Sequence, residues 1–392
     1  VISVDVAIVG SGIHGTGIAQ AAAAAGHSVL LLEQSDVGSG SSSRSSKLIH
    51  GGLRYLESGQ FSLVRESLRE RTLMLKLAPD LVQIRRFFIP VYGHTRRRPW
   101  QLRLGLALYA VLAGVTPEAR FGTVPRREWD QLDGLDTQDL QAVFWYQDAQ
   151  TDDRALTRAV LQSAQQLGTR FICPAVFQSA TLSESGVDLS YTTQGHSETA
   201  QARVLVNAAG PWADDVARRI TPAIEVPALE RIAGTHLVLD GDLQRGVYYL
   251  ESPHDGRAVF VIPWKGRIMV GTTETRYEGD PALVAPLPAE VEYLLGVLKT
   301  YFPRWRHVTV ADLVESFAGL RVLPAGDGTA FHRSRETQLV PDRQERPRVL
   351  SVYGGKLTTW RAVAARAFSE IAVSLPVRQA LARTDQLPLK RV

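Results

Sequence analysis

The apolar residues of this chain fall into short runs and spaced stripes that mark out strands and helices. Residues 4–9 set valines and an isoleucine among small or polar neighbours, and residues 28–33 read Ser-Val-Leu-Leu-Leu-Glu. Runs of this length, bounded by glycine or polar residues, predict strands buried in a parallel sheet. Between them the alanine-rich residues 13–26 predict a helix with Gly26 as its C-cap. In residues 60–78, Phe61, Leu63, Val64, Leu68, Leu73, Leu75 and Leu77 stand among charges ahead of Pro79. That spacing predicts an amphipathic helix with a stop signal. Residues 203–210 and 348–355 repeat the opening pattern of a strand running into glycine, the second followed by a helix over about 357–371. Residues 231–240 and 258–273 read as β, and Cys173 falls in a run that reads as a buried strand.

This order predicts an α/β protein with a Rossmann-like nucleotide-binding lobe split in sequence into residues 1–80, 140–215 and 310–375. Residues 80–140 and 216–310 are left for a mostly β substrate-binding lobe. Residues 376–392 have little periodicity and read as a loose tail. The 392 residues exceed the usual size of one domain, and 45% apolar content supplies a sizeable core without disulfides or structural metals. One cysteine allows no intramolecular disulfide and no cysteine-based zinc site, which fits a reducing compartment.

The first ten residues lack a basic segment followed by a separate apolar stretch, so no signal peptide is expected. The longest nearly uncharged apolar stretch, residues 104–115, is shorter than the roughly 20 residues that span a bilayer. A soluble or peripheral protein follows. Formal charge is only +4, but Arg85, Arg86, Arg96, Arg97, Arg98 and Arg103 surround Trp100, Leu102 and Leu104. Such a segment reads either as a solvated basic edge or as a face that rests on anionic lipid. Nucleic acid is not expected, because the arginines are scattered and no stacking-aromatic motif accompanies them.

Gly10-Ser11-Gly12-Ile13-His14-Gly15 follows the first strand and opens the first helix. In this pattern one glycine turns the chain, one admits pyrophosphate close to the backbone, and one lets helix and strand pack closely. The helix N-terminus offers N–H groups and partial positive charge to phosphates. Glu33 ends the second strand about 20 residues on, where an acidic side chain holds a ribose diol. These features together point to a dinucleotide. They do not separate FAD from NAD. Residues 38–47 are small, hydroxyl-rich and cationic, suited to running alongside an extended cofactor.

That segment continues as Ser45-Ser46-Lys47-Leu48-Ile49-His50-Gly51-Gly52-Leu53-Arg54-Tyr55-Leu56-Glu57, which resembles the signature of FAD-dependent glycerol-3-phosphate dehydrogenases and related glycerophosphate oxidases. The resemblance extends to residues 61–71, 206–212, 259–264, Gly271-Thr272-Thr273-Glu274 and Gly354-Gly355-Lys356-Leu357-Thr358-Thr359, and covers about residues 4–372. It implies non-covalent FAD and a fold of the glutathione-reductase or D-amino-acid-oxidase type. It also implies cofactor contacts from Gly10, Gly12, Ile13, His14, Gly15, Glu33, Gln34, Ser42, Ser46, Lys47, Leu48, His50, Val176, Ala209, Gly210, Trp212, Gly319, Arg321, Gly355, Lys356, Leu357 and Thr358. Members of this family usually continue past the last motif into a further helical domain, whereas this chain stops soon after, and Val322 stands where they usually have proline.

Oxidising a phosphorylated alcohol requires a grip on the anion and a group that takes the hydroxyl proton. Arg54, Arg321 and Lys356 each lie close to glycine turns, in motifs that match the family's substrate or flavin site. His236 reads by itself as a satisfied core histidine, but the resemblance turns it towards the substrate and makes it the proton acceptor. His50 and Tyr55 are expected beside substrate or flavin, while His14 has no expected chemical task. Asp152-Asp153-Arg154 reads as a helix N-terminus. No metal site and no nucleophile elbow are expected. Electrons would leave to quinone or to oxygen, and a cytoplasmic protein, peripheral at the inner face of the cell membrane, is implied. Two other readings remain: an amine, amino-acid or hydroxy-acid oxidase of the same fold, and a flavoprotein that binds nucleic acid.

Overall fold

A computed structural model describes residues 2–325 and 337–392. The opening unit forms as expected: β1 (Ile2–Val9), α1 (Ile13–Ala24) and β2 (Val29–Leu32), with both strands pairing in parallel. α1 is buried almost all round. Gly15 permits this, because a Cβ there would stand 1.8 Å from the Gly10 carbonyl oxygen. Gly17 likewise admits the Trp360 ring, which a Cβ would meet at 2.7 Å.

The first sheet also holds β7 (Arg170–Ile172), β8 (Val176–Ser183), β9 (Gly186–Thr193), β10 (His196–Asn207), β11 (Ile220–Thr221), β18 (Gln338–Pro341) and β19 (Val349–Tyr353). Its order is β11-β8-β9-β10-β1-β2-β7, with β19 beside the last residues of β10 and β18 beside β19. β1, β10 and β19 run parallel, so their carboxyl ends and the turns that follow meet at one edge. α4 (Asp153–Gln166) and α7 (Trp360–Ala372) pack against α1.

The second sheet contains β3 (Leu48–Ile49), β4 (Val82–Tyr92), β5 (Phe121–Thr123), β6 (Leu140–Thr151) and β12 (Leu229–Asp240). It continues with β13 (Val247–Glu251), β14 (Ala258–Trp264), β15 (Arg267–Gly271), β16 (Thr275–Tyr277) and β17 (Leu313–Pro324). α2 (Phe61–Leu77) and α3 (Pro99–Leu112) share a core with one face, including Phe87, Tyr109 and Tyr146. α6 (Pro288–Tyr301) packs on another cluster with Leu237, Tyr248 and Val261. α5 (Ala213–Ala217) is a single turn after β10.

Three expectations change. Residues 140–151 and 313–324 were assigned to the nucleotide lobe, but β6 and β17 pair in the second sheet, with β4 and β12 respectively. Residues 376–392 are not loose throughout. The amides of Leu381 and Leu389 donate to the carbonyls of Ala24 and Leu77, and Leu389 is buried. Cys173 lies in the turn between β7 and β8, only partly buried. Among the described residues, no helix is long and apolar enough to cross a membrane.

Candidate functional site

The turns at the carboxyl edge of the first sheet open onto a cavity of about 420 Å³ that continues to the second sheet. At its sheet-one end, Gly10, Gly12, Ile13 and His14 line the wall beside Glu33 and Gln34. Gly10 has φ +99°, and a Cβ there would stand 2.7 Å from the Ala208 carbonyl oxygen. Glu33 is held in place by Ser11, whose amide and hydroxyl donate to one carboxylate oxygen at 2.8 and 2.9 Å, and by Ser35, whose amide donates to the other at 2.9 Å. The Ser42 hydroxyl accepts from the Ile13 amide at 2.9 Å, which ties the serine-rich loop to the N-terminus of α1. The far side of that loop is fixed to β17. Ser41 donates to the Leu320 carbonyl and Arg44 to that of Ala318. Gly319 admits the loop, because a Cβ there would stand 2.5 Å from the Arg44 carbonyl oxygen.

The cavity is also walled by His50, Arg54, Tyr55, His236, Arg321 and Lys356, all expected at the site. Residues from opposite ends of the chain meet here. The His50 amide donates to the Thr358 hydroxyl at 3.0 Å, and that hydroxyl returns a bond to the His50 carbonyl at 3.3 Å. Lys356 Nζ stands 3.6 Å from the centre of the Tyr55 ring. Arg321 donates to Glu274 at 2.8 Å. His236 is buried, stacks on Phe317 with ring centres 5.1 Å apart, and has Nε2 2.9 Å from the Ser46 hydroxyl. Burial, with Lys47 and Arg321 nearby, holds its pKa well below 6.5, so the imidazole is neutral near pH 7.

Ser46, Leu48, Ala209, Gly210, Trp212, Gly319, Gly355, Leu357 and Thr358 also line the cavity. Three expected contacts do not. Gly15 faces Gly10 and Ala208 inside the helix–strand interface. Val176 starts β8, where alternation turns it outward, while Ala175 and Phe177 on either side reach the cavity. Lys47 is buried behind the serine loop, with Nζ 2.9 Å from both carboxylate oxygens of Asp153 and 2.5 Å from the Ser43 carbonyl. Asp152 caps α4 through the Ala155 amide, as a helix start requires, whereas Asp153 serves Lys47 and Ser45.

Arg44, Tyr249, Arg257, Phe260, Thr272 and Glu274 line the cavity without having been singled out as site residues. Glu274 lay in a quoted motif, and a carboxylate among cations was its available signal. Arg257 has no motif around it; its position comes from the β13–β14 connection.

These residues fit a flavin dinucleotide. A glycine turn stands at a helix N-terminus, an acid stands beside it, and a hydroxyl-lined trough leads towards cationic side chains. Two buried imidazole nitrogens of cavity-lining residues, His14 Nε2 and His236 Nδ1, have no hydrogen-bond partner among the described residues, as is expected where a polar group is to be met by a ligand. A Cβ at Gly355 would stand 2.4 Å from the His14 ring, so glycine is needed for that approach.

Fold and site therefore define a flavin-dependent oxidoreductase. The model of the FAD dependent oxidoreductase family matches residues 5–366, and the chain belongs to that family. It is 38% identical over 384 residues to glycerol-3-phosphate dehydrogenase of Pseudomonas aeruginosa, covering 94% of this chain and 71% of that protein. It is 33% identical over 377 residues to D-erythritol 1-phosphate dehydrogenase of Brucella abortus, covering 95% and 74%. The structure of glycerol-3-phosphate dehydrogenase from Bacillus halodurans, complexed with FAD, matches with a TM-score of 0.73 at 25% identity, covering 99% of this chain and 68% of that one.

Proposed function

We propose that this enzyme oxidises sn-glycerol-3-phosphate, or a closely related phosphorylated polyol, at a secondary alcohol. The observation that carries this reading is that Arg54, Arg321, Lys356 and His236 line the same cavity as the glycine turn. FAD, held without a covalent bond, supplies the hydride acceptor when bound. Arg321 and Arg54 grip phosphate oxygens through planar guanidinium forks, and Lys356 adds a compact charge. His236, neutral and oriented by Ser46, takes the hydroxyl proton. The first sheet carries the cofactor and the second presents the substrate. The names of the P. aeruginosa and B. abortus relatives, both dehydrogenases of phosphorylated polyols, support this substrate class.

The same reading extends to the electron acceptor. The outer face of α3 exposes Trp100, Leu104, Leu108 and Val111, with Arg98 and Arg103 exposed beside them. Apolar side chains flanked by arginine suit an interfacial helix on anionic lipid. Such a contact at the inner face of the cell membrane would give access to quinone; oxygen is the alternative acceptor. An amino-acid oxidase is the second reading, because an arginine fork grips carboxylate as well as phosphate.

Anaerobic bleaching of the enzyme-bound flavin separates these readings. Glycerol-3-phosphate or D-erythritol 1-phosphate is expected to bleach it, and amino acids are expected to leave it yellow. Bleaching by an amino acid alone would replace the proposal with the second reading.

A further inference from the structure

We infer that Glu290, on the face of the second sheet turned away from the cavity, is a positioning residue for Arg321. Its carboxylate gathers the three threonine hydroxyls that shape the gap in the strand ladder from which Glu274 reaches Arg321. The inference rests on the reading above that Arg321 grips the substrate's anion.

The gap is visible in the register. β12 pairs with β15 as far as His236 opposite Gly271, and with β16 from Ala233 opposite Thr275. Residues 272–274 lie between, outside any strand. The amide of Thr235 faces this gap and donates to the Thr273 hydroxyl at 2.9 Å instead of to a ladder carbonyl. Side chains alternate on either side of it. Gly234, His236, Thr272 and Glu274 line the cavity, while Thr235, Thr273 and Thr275 point to the opposite face.

On that opposite face stands Glu290, in the first turn of α6 and buried. One carboxylate oxygen accepts from Thr235 at 2.7 Å and from the Leu287 amide at 3.1 Å. The other accepts from Thr273 at 2.7 Å and Thr275 at 2.6 Å. An ionised carboxylate accepts at about four sites and donates at none, so four converging donors fill it. Burial opposes the charge, but the hydroxyls of Thr275, Thr235 and Thr273 and the Leu287 amide outweigh it. The group stays ionised below the usual carboxylate range.

On the cavity side the gap presents two partners of Arg321. Glu274 accepts from Arg321 at 2.8 Å, and Thr272 Oγ1 stands 3.5 Å from the second guanidinium nitrogen. Arg257, also at the cavity wall, donates to the Glu274 carbonyl at 3.3 Å. Moving residues 272–274 therefore moves the acid that aims the fork. An amide at position 290 has one carbonyl oxygen and two donor hydrogens. It cannot receive all four donors, and the gap must resettle.

The test compares Glu290→Gln, Thr275→Val and Thr275→Ser with wild-type holoenzyme. Inorganic phosphate is the anion probe, read through its perturbation of flavin absorbance, alongside KM, kcat, FAD content and melting temperature. Glu290→Gln and Thr275→Val are expected to raise both the phosphate Kd and KM roughly tenfold, with kcat within about twofold. Thr275→Ser, which keeps the hydroxyl, should bring both back to wild-type values. Variants that hold full FAD and bind phosphate as wild type does would overturn the inference, as would a fall in kcat that follows lost FAD with KM unchanged. If Glu290→Gln does not fold, Thr275→Val and Thr275→Ser carry the same comparison. Wild-type flavin that answers neither phosphate nor glycerol-3-phosphate would instead remove the anion-site reading itself, and the inference with it.

Discussion

His236 Nε2 stands 2.9 Å from the Ser46 hydroxyl, joining segments 190 residues apart in the chain. The serine loop thus does more than line the cofactor trough. It fixes the orientation of the cavity-lining imidazole on β12 that we propose takes the substrate's proton. Ser46→Ala should lower kcat/KM roughly fivefold, the worth of one ordinary hydrogen bond, with little change in melting temperature. Steady-state kinetics beside a thermal melt checks this. A variant as active as wild type would detach the serine from the chemistry.

Arg321→Lys keeps the charge and loses the fork. KM for the phosphorylated substrate should rise by about tenfold to a hundredfold, while kcat falls much less. Saturation curves taken on the purified variant decide the split.

The Lys47–Asp153 pair is buried on both sides. Removing the cation in Lys47→Met strands a carboxylate, and unfolding in urea should show a loss of about 3–5 kcal/mol. Burial already raises the Asp153 pKa against the opposing pull of Lys47. Without Lys47 it rises further, so the native state takes up a proton more readily than the unfolded chain. Stability of the variant should therefore recover as pH falls towards the raised pKa, and the deficit should be largest on the alkaline side.

His14 titrates in the opposite sense. Burial, aided by Arg366, lowers its pKa from 6.5 to about 4. Between these values the unfolded chain binds the proton and the native state does not, so stability falls as pH falls through that window. His14→Asn should flatten this part of the profile, measured as the urea midpoint against pH.

The exposed face of α3 makes a separate prediction. Trp100→Ala combined with Leu104→Ala should weaken sedimentation with anionic vesicles while leaving turnover with a soluble dye unchanged. Equal sedimentation of both proteins would remove the lipid contact.

The nucleotide end was legible because its information is local. Gly10 needs positive φ, Gly12 and Gly15 need close approach, and Glu33 follows within one strand–helix–strand unit. What failed depended on distant partners. Lys47 was expected as a cofactor contact from the resemblance of its motif, yet its partner Asp153 lies 106 residues away. Val176 missed by one position, which in a strand reverses the face. Residues 140–151 and 313–324 were given to the nucleotide lobe, yet β6 and β17 pair with β4 and β12 of the second sheet, since sequence does not name a strand's neighbours. Glu290 carried no signal at all: its three threonines are assembled only by the sheet.

β19 is the last parallel strand of the first sheet among the described residues, and the turn after it supplies Gly354, Gly355 and Lys356 to the cavity wall, with Gly355 against the His14 ring. The two sides of the flavin berth thus come from distant stretches of the chain, and they meet only when β19 pairs with β10. A nascent chain carries half a berth until β19 slots in beside β10, so FAD capture waits for that strand. Any message cut short before that strand yields protein that no supply of riboflavin will turn yellow.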